Sequence, residues 1–416
     1  HLFPPPHQAH QTIQCWDIFH SYALYPRAEE ILCDYQYHSR QMSEDSSAIT
    51  DFAVATTLFT IVAATTVLGV RRRKQELKEA RVAEINVYPI KSCGPMTVKT
   101  AKVTDIGFSY DRFAQVSDSE GNYLTPRDKA NVKLFHVKPS IVYEGSSIHL
   151  DLIFSNGSSE ASSFRIKNLN DTIVKSVTKE VTPMIGPAVR LQDLGDDVAS
   201  WLSEATLIKD CRLTAIGPKY HRLVEMNPDQ GEPVPFLDDS DSDKKKDVSE
   251  TIPTDDQQKL DRNIPTVSLA DEAPFLLTTT SSFDDLNSRL KARGKSEVEM
   301  QRFRPNIVVK GTLPWEEDTW KRIRIGGVVF HVWQRCGRCA MTTIDRKTLE
   351  RGPEPLATLS TFRERKGQRN FGVHMIPVSN ISIESNELSL LLEMGQKIEV
   401  LEYNEERLEE WRRLFT

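Results

Sequence analysis

The chain has 416 residues, of which 39% are hydrophobic and 8% aromatic; it can form a substantial core and is too long for one ordinary domain. Its formal net charge is −6 at pH 7, and no lysine and arginine patch alternates with aromatic residues, which argues against a nucleic-acid-binding protein. The six cysteines lack regular spacing, which argues against a disulfide framework and for a reducing compartment.

The N-terminal part predicts a membrane anchor. Residues 1–46 lack hydrophobic periodicity, and we expect a poorly ordered leader there. Residues 52–70 form an uncharged apolar run followed by four basic residues at 71–74, close to the roughly 20 residues that a transmembrane helix needs. A buried helix and a secretory signal are the alternatives, but a signal peptide would end in small residues. The basic flank places residues 71–416 in the cytosol by the positive-inside rule.

A β-rich pattern begins near residue 81. β-Branched residues run to Pro89 with strand-like alternation, and Val198, Trp201, Leu202 and Ala205 share one face of a predicted helix over 196–205. These elements predict an N-terminal β-rich domain over residues 80–220. Further strands are predicted at 113–116, 147–154 and 163–167.

Residues 227–264 differ in composition from the segments on both sides. They contain a run of aspartates, serines and lysines at 238–247 and few large apolar residues. Such a segment cannot bury enough surface to offset its ordering entropy, so the sequence predicts a disordered acidic insertion. Its serines could be kinase targets, or the segment is a solvated loop.

The second folded part is predicted over residues 267–405. A helix capped by Ser281 or Ser282 and closed by Gly294 comes first, and a charged amphipathic helix over 405–416 ends the chain. Short strands and few helices favour a mainly β, α+β chain whose second domain is closed or highly curved and barrel-like. The predicted strands lie at 306–310, 320–325, 328–333 and 397–403.

A pair of cysteines gives the strongest chemical signal. Cys336 and Cys339 follow the strand predicted at 328–333. A thiolate is a soft ligand for transition metals, and we expect the neighbouring Arg335 and Arg338 to favour that form.

Spacing alone does not choose a metal. A zinc site would need further ligands such as His331 or His374, and no second cysteine or histidine pair has the spacing that completes one. A thioredoxin-like pair would open a helix, whereas residues 342–344 favour a strand.

Four separated motifs together resemble the MOSC domain, the molybdenum-cofactor-binding module, and within it the mitochondrial amidoxime-reducing component family. The likeness spans about residues 81–403 and implies an N-terminal β-rich MOSC-associated domain followed by a MOSC domain. The residues that match the family's cofactor signature are Lys91, Ser92, Arg112, Arg304, Asn306, Arg338 and Cys339.

The resemblance implies that Cys339 is the molybdenum ligand and the catalytic thiolate, and that Cys336 is structural or supporting. The remaining metal ligands would be a pterin dithiolene and terminal oxygens. The cofactor ends in a phosphate, which arginine binds with a bidentate fork and lysine as a point charge.

Two places depart from the family pattern. Asp271 is kept and counted among the cofactor-binding residues, but Glu272 and Ala273 stand where the family has hydroxyl groups. His374 occupies an aromatic position of the family, and a histidine near the metal could donate a proton. Residues 125–127 could lie near the pocket mouth, with no role that we can assign.

The resemblance implies a membrane-anchored molybdoenzyme, in the mitochondrial outer membrane by analogy, which reduces small N-hydroxylated compounds (amidoximes, hydroxylamines) by oxygen-atom abstraction at molybdenum. Electrons would come from an NADH-dependent flavin reductase through a cytochrome b5-type haem protein. The absence of a G-x-G-x-x-G motif from the sequence is consistent with an external donor.

The alternatives are a MOSC-type cofactor-binding or sulfur-carrier module without reductase turnover. Molybdenum-cofactor sulfurases carry such a domain behind a pyridoxal-phosphate domain, for which this layout leaves no room.

Overall fold

The computed structural model describes residues 79–157, 161–222, 267–378 and 390–415. The predicted leader (1–46), transmembrane anchor (52–70) and acidic insertion (227–264) lie outside these residues. No helix within the described ranges is both long and apolar enough to cross a membrane.

The described residues are mainly β, as predicted. The strands are β1 (Arg81–Val87), β2 (Met96–Val98), β3 (Thr100–Thr104), β4 (Gly107–Phe108), β5 (Ala114–Ser117), β6 (Val137–Glu144), β7 (Ser147–Phe154), β8 (Ser162–Ile166), β9 (Val177–Val181), β10 (Val189–Asp193), β11 (Arg212–Ala215), β12 (Phe275–Thr279), β13 (Ile307–Lys310), β14 (Trp320–Ile325), β15 (Val328–Arg338), β16 (Glu364–Arg365), β17 (Gln368–Pro377), β18 (Leu391–Glu393) and β19 (Ile398–Tyr403).

Helices are few and short. The α-helices are α1 (Leu169–Lys175), α2 (Asp196–Thr206), α3 (Thr280–Ala292), α4 (Leu356–Ser360) and α5 (Glu405–Phe415). The 3₁₀ helices are Lys129–His136, Met300–Phe303, Glu316–Thr319 and Ala340–Thr343.

The largest described sheet has nine strands, in the order β19-β14-β15-β17-β12-β13-β1-β2 with β16 paired to β17. Its pairs are antiparallel except β12 with β13. Although β1 and β2 come from the first half of the chain, β1 pairs with β13, with Ile85 opposite Ile307. The sheet therefore joins the two halves, which places loops from both beside the ends of β15 and β17.

The predicted barrel-like second domain needs correction. No ladder closes a described sheet on itself; a single bridge, from Arg81 to Lys397, links β1 to the residue before β19. The sheet is thus curved until the start of β1 meets the residue before β19. It remains open because β2 pairs with Ile85–Val87, which leaves only the start of β1 to form that bridge.

The first half of the chain builds smaller sheets around its own core. The order β5-β11-β10-β9 forms one, and the meander β6-β7-β8 another. The apolar face predicted for α2 is buried through Val198 and Leu202, which pack with Leu213 of β11. Burial of such side chains contributes roughly 1.5–3 kcal/mol each.

Three predicted elements differ from the structure. The N-cap of helix α3 is Thr279, two or three residues before the predicted Ser281 or Ser282, because the side chain of Thr279 accepts the hydrogen bond from the Ser282 amide. The strand ending at Trp333 continues to Arg338. The strand favoured at 342–344 is a 3₁₀ helix over Ala340–Thr343, where the hydroxyl groups of Thr342 and Thr343 bond local carbonyls and compete with a sheet ladder.

Candidate functional site

One cavity, with about 1000 Å³ of empty space including its open mouth, lies between loops from both halves of the chain. All eight residues predicted from the sequence line it: Lys91, Ser92, Arg112, Asp271, Arg304, Asn306, Arg338 and Cys339. They are drawn from regions up to about 250 residues apart in the chain, so the fold brings them together. Their roles remain predictions.

Lys91 and Ser92 reach the cavity from the turn that follows β1. The Lys91 ammonium group lies 2.5 Å from a carboxylate oxygen of Asp271, and burial lowers its pKa while that carboxylate opposes the shift. Ser92 has a positive φ of 68° and shares a hydrogen bond with the hydroxyl of Tyr123. The lysine is therefore a buried charge paired with one carboxylate at the cavity wall.

Arg112 and Arg304 share an aromatic platform. Their guanidinium carbons lie 4.5 and 4.3 Å from the ring centre of Tyr88, a cation–π geometry. Arg112 donates to the Asn306 side-chain oxygen at 2.9 Å and to the Arg304 carbonyl at 3.2 Å. Arg304 donates to the Cys93 carbonyl at 2.6 Å. Burial lowers the pKa of Arg304, and the charge of Arg112 adds to that shift.

Three of the predicted binding residues adopt left-handed backbone conformations. The φ angles are 68° at Ser92, 47° at Arg112 and 56° at Arg304. Such conformations cost on the order of 1 kcal/mol or more for residues other than glycine and concentrate at functional sites. The surrounding hydrogen bonds stabilise these backbone conformations, and all three polar side chains line the same cavity.

The two cysteines of the motif have different environments. Cys336 is 5% exposed, and burial raises the pKa of its thiol to about 11. Cys339 is exposed at the cavity, immediately after β15. The register of β15 against β17 shifts between Arg335 and Gly337, and a bulge of this kind re-aims side chains near a site. The geometry makes Cys339 the accessible thiol of the pair.

Of the two arginines expected to favour a thiolate, Arg338 contacts a thiol of the pair, and its charge opposes the raised pKa of Cys336, whereas Arg335 does not contact either thiol. Arg335 points away from the cavity and pairs with Asp318 at 3.0 Å and with Glu410 of α5 at 2.6 Å. Arg338 donates to the Cys336 sulfur and to the Phe303 carbonyl. In the described residues, the guanidinium that contacts Cys339 is that of Arg127, with Nη2 3.5 Å from Sγ.

The sequence placed residues 125–127 near the pocket mouth without a role, and Thr125 and Arg127 do line the cavity; the contact of Arg127 with Cys339 was not predicted. Arg127 comes from the first half of the chain, and its carbonyl accepts a hydrogen bond from Arg351 at 2.6 Å. The signal that could have identified it is the turn that begins at Thr125, whose hydroxyl accepts from the Arg127 amide. No local pattern shows that this turn faces a cysteine more than 200 residues away.

The cavity carries an excess of positive charge. Its described lining contains six cations and two carboxylates, those of Asp271 and Glu272. Buried nitrogen atoms of Arg127 (Nε) and Arg338 (Nε) have no hydrogen-bond partner among the described residues. Buried donors without partners are rare in proteins. The site thus fits an anionic, oxygen-rich ligand that these groups would bind.

A metal held by protein ligands alone is not supported. In the described parts of the chain, no group of three or more His, Cys, Asp or Glu side chains is placed to hold an ion. His331 does not line the cavity, and burial lowers its pKa to about 4. Cys339 therefore fits a metal whose other ligands arrive with a cofactor.

A thioredoxin-like redox pair is not supported either. A short 3₁₀ helix does follow Cys339. However, Cys336 is buried, and burial raises the pKa of its thiol to about 11. Reactive dithiols need a thiolate with a lowered pKa.

Comparison with known proteins gives two domain matches. Residues 79–209 match the MOSC N-terminal beta barrel domain, and residues 265–399 match the MOSC domain.

Relatives of two kinds cover most of the chain. The mouse (Mus musculus) mitochondrial amidoxime-reducing component 1 is 29% identical over 303 residues, 70% of this chain and 74% of the relative. The human (Homo sapiens) mitochondrial amidoxime reducing component 2 is 28% identical over 304 residues, 70% and 75% of the two chains. A molybdenum cofactor sulfurase of Oryza sativa subsp. japonica is 27% identical over 336 residues, 78% of this chain and 36% of the sulfurase. The chain thus spans just over a third of the sulfurase. It is a MOSC-domain protein in which a MOSC N-terminal beta barrel domain precedes the MOSC domain.

Proposed function

We propose that this protein binds the molybdenum cofactor and reduces small N-hydroxylated compounds, amidoximes and hydroxylamines among them. The observation that carries the proposal is one cavity in which the accessible thiol of Cys339 lies beside a cluster of buried cations. The similarity to amidoxime-reducing components over 70% of the chain supports it.

The chain's residues divide the binding of such a cofactor between two groups. The Cys339 thiolate would hold the metal, and Arg127 lies within reach to neutralise its charge. Lys91, Arg112 and Arg304 would hold the phosphate, where guanidinium forks and an ammonium charge suit phosphate oxygens. When bound, the cofactor supplies the two-electron chemistry that reduces the N–O bond. The protein itself would bind the cofactor, orient it and neutralise its negative charge.

The cellular setting follows from the same proposal. Electrons would come from an NADH-dependent flavin reductase through a cytochrome b5-type haem protein. The apolar run at 52–70 would anchor the chain in a membrane with the catalytic part in the cytosol. The names of the relatives above indicate the mitochondrion, and the outer membrane is the site we propose.

Conversion of an aryl amidoxime to the amidine tests the reductase function. The 416-residue chain, expressed in a host that makes the cofactor, would be assayed with a chemical electron donor. We expect turnover in wild type and its loss in Cys339→Ala. Cys211→Ser is the matched control, because Cys211 is a buried thiol that donates to the Ile208 carbonyl, a bond that serine can keep. Wild-type protein that holds molybdenum but forms no amidine would refute the reductase function.

A cofactor-carrying or sulfur-carrier module is the second candidate. The sulfurase match over 78% of this chain supports it. Two assays of the same purified protein distinguish the candidates. A carrier transfers its cofactor, or sulfur on it, to an acceptor enzyme and does not reduce amidoximes. The reductase reduces amidoximes without an acceptor enzyme.

A further inference from the structure

A carboxylate, an imidazole and an amide form a contiguous group on one wall of the cavity. Glu272 Oε2 lies 3.3 Å from His374 Nδ1 and accepts a hydrogen bond from Gln334 Nε2 at 3.3 Å. Gln334 and His374 are directly opposite each other in the β15–β17 pair, and His374 is also opposite Leu276 of β12. Two rigid strands therefore hold the imidazole, and the residues just before β12 supply the carboxylate.

This arrangement gives the imidazole a partner in both protonation states. When Nδ1 carries a proton, it donates to the Glu272 carboxylate. When Nδ1 is bare, it can accept from the Gln334 amide nitrogen, 3.4 Å away. Nε2 has no hydrogen-bond partner among the described residues, and the ring lines the cavity. A carboxylate that fixes Nδ1–H leaves Nε2 as the atom that exchanges protons with a bound molecule.

Exposure and charge suit proton transfer into the cavity. His374 is 7% exposed, whereas the Glu272 side chain is 42% exposed and meets solvent. Burial lowers the pKa of His374, and the Glu272 carboxylate opposes that shift. The other charges that act on the ring are Arg338, Arg112 and Asp271, and the Cys336 thiol lies near Glu272. The neutral imidazole is thus favoured, with Glu272 as the group that stabilises its protonated form.

We propose that His374 is the residue that supplies protons to the substrate in this cavity, with Glu272 and Gln334 as its positioning residues. The inference rests on the proposed reductase function. That reaction breaks an N–O bond, takes two electrons from the external donor protein and two protons, and releases the oxygen as water. In its protonated form, which Glu272 stabilises, His374 gives the Nε2 proton to the departing oxygen and is then reprotonated from solvent. Solvent also supplies the second proton, which goes to the substrate nitrogen. The Nδ1–H stays with Glu272. Glu272 and His374, which are in contact, stand at the two positions where the sequence departs from the family pattern.

The test measures the imidazole directly and the reaction separately. Histidine-labelled protein is titrated by NMR, and the signal absent from His374→Phe is assigned to residue 374. In Glu272→Gln, which keeps the shape but removes the charge, we expect that signal to titrate at a lower pH. Glu144→Gln is the matched control, since Glu144 lies 3.5 Å from His149 in a pair remote from the cavity lining, and it should leave His374 unchanged.

The steady-state assay uses the same variants at equal molybdenum content. We expect His374→Phe to lower kcat by about 100-fold, the lower end for general acid catalysis, and Glu272→Gln to move the limb of the pH–rate profile that follows the histidine. A His374 signal that is insensitive to Glu272→Gln would overturn the proposal. So would a kcat within about threefold of wild type in His374→Phe, judged against that 100-fold expectation. If the His374 signal responds to Glu272→Gln but the wild-type protein shows no turnover, the reductase function is refuted and the proton site stands.

Discussion

Replacing Arg304 by methionine should separate ligand binding from folding at the phosphate end of the site. Arg304 and Arg112 lie 4.3 and 4.5 Å from one ring centre, so their guanidinium carbons are at most about 9 Å apart. Two unit charges at that separation repel by about 2 kcal/mol at an effective dielectric constant near 20. Methionine relieves this repulsion. It loses the hydrogen bond to the Cys93 carbonyl, worth about 1.5–3 kcal/mol for a charged donor, and the cation–π contact with Tyr88, worth about 0.5–2 kcal/mol.

The relieved repulsion offsets much of these losses, so we expect the free energy of unfolding of ligand-free Arg304→Met to fall by no more than about 3 kcal/mol. Phosphate binding should weaken by about 10- to 100-fold, because one charged hydrogen bond is lost. At inorganic phosphate about 50 times the wild-type Kd, wild type gains about 2.3 kcal/mol of stability, whereas the variant gains about 0.2–1 kcal/mol.

Urea unfolding with and without phosphate, at ionic strength held constant with chloride, measures both quantities. Arg190→Met, at an exposed position on β10, is the control and should behave as wild type. Equal stabilisation of Arg304→Met and wild type by phosphate would refute the assignment of the cation cluster. A loss of more than about 3 kcal/mol without phosphate would show that Arg304 serves folding instead, since it exceeds the hydrogen bond's own contribution.

Three further predictions follow from the described contacts. Brief alkylation at pH 8 with peptide mapping should modify Cys339 in the native protein and spare Cys336, which is buried with a thiol pKa of about 11; equal modification would contradict the geometry. Asp318→Asn should cost about 3–5 kcal/mol in urea unfolding, because it removes the carboxylate that pairs with the buried Arg363 and also with the partly buried Arg335. Asp196→Asn, at a carboxylate that is 91% exposed, should cost less than about 1 kcal/mol. Burial raises the pKa of Glu317 to about 7, so the folded state binds the proton more tightly than the unfolded state. The free energy of unfolding of wild type should therefore fall by up to about 3 kcal/mol relative to Glu317→Gln as pH rises from 4.5 to 7. A difference between the two proteins that stays flat over this range would refute the shift.

Most of the local structure could be predicted because helices and strands each show a characteristic periodicity of apolar residues. The strand at Ser147–Phe154 and the helix starting at Asp196 are at the predicted positions. Strand β17, in contrast, was missed. It is buried on both faces over most of its length, so its residues show no alternation and cannot be told from other apolar segments.

The candidate site was predictable where the residues carry a motif and not where only the fold brings them together. Lys91 and Cys339 stand in recognisable motifs, and both line the cavity. Tyr123 lines it without such a signal, and Arg127, expected near the pocket mouth but without a role, lines it as well. Arg335 was expected beside the thiols because it is adjacent in sequence, but neighbouring residues of a strand point to opposite faces, and it pairs with Asp318 instead.

Molybdenum and pterin content per chain tests the central claim most directly. Wild type, Cys339→Ala and Cys211→Ser would be purified from a host that makes the cofactor, and metal and pterin would be quantified against protein. The account predicts about one molybdenum and one pterin per chain in wild type and Cys211→Ser, one cofactor for the one exposed thiol in the described cavity lining. It predicts loss or weak retention in Cys339→Ala. Zinc in place of molybdenum, or no metal in any of the three, would contradict it.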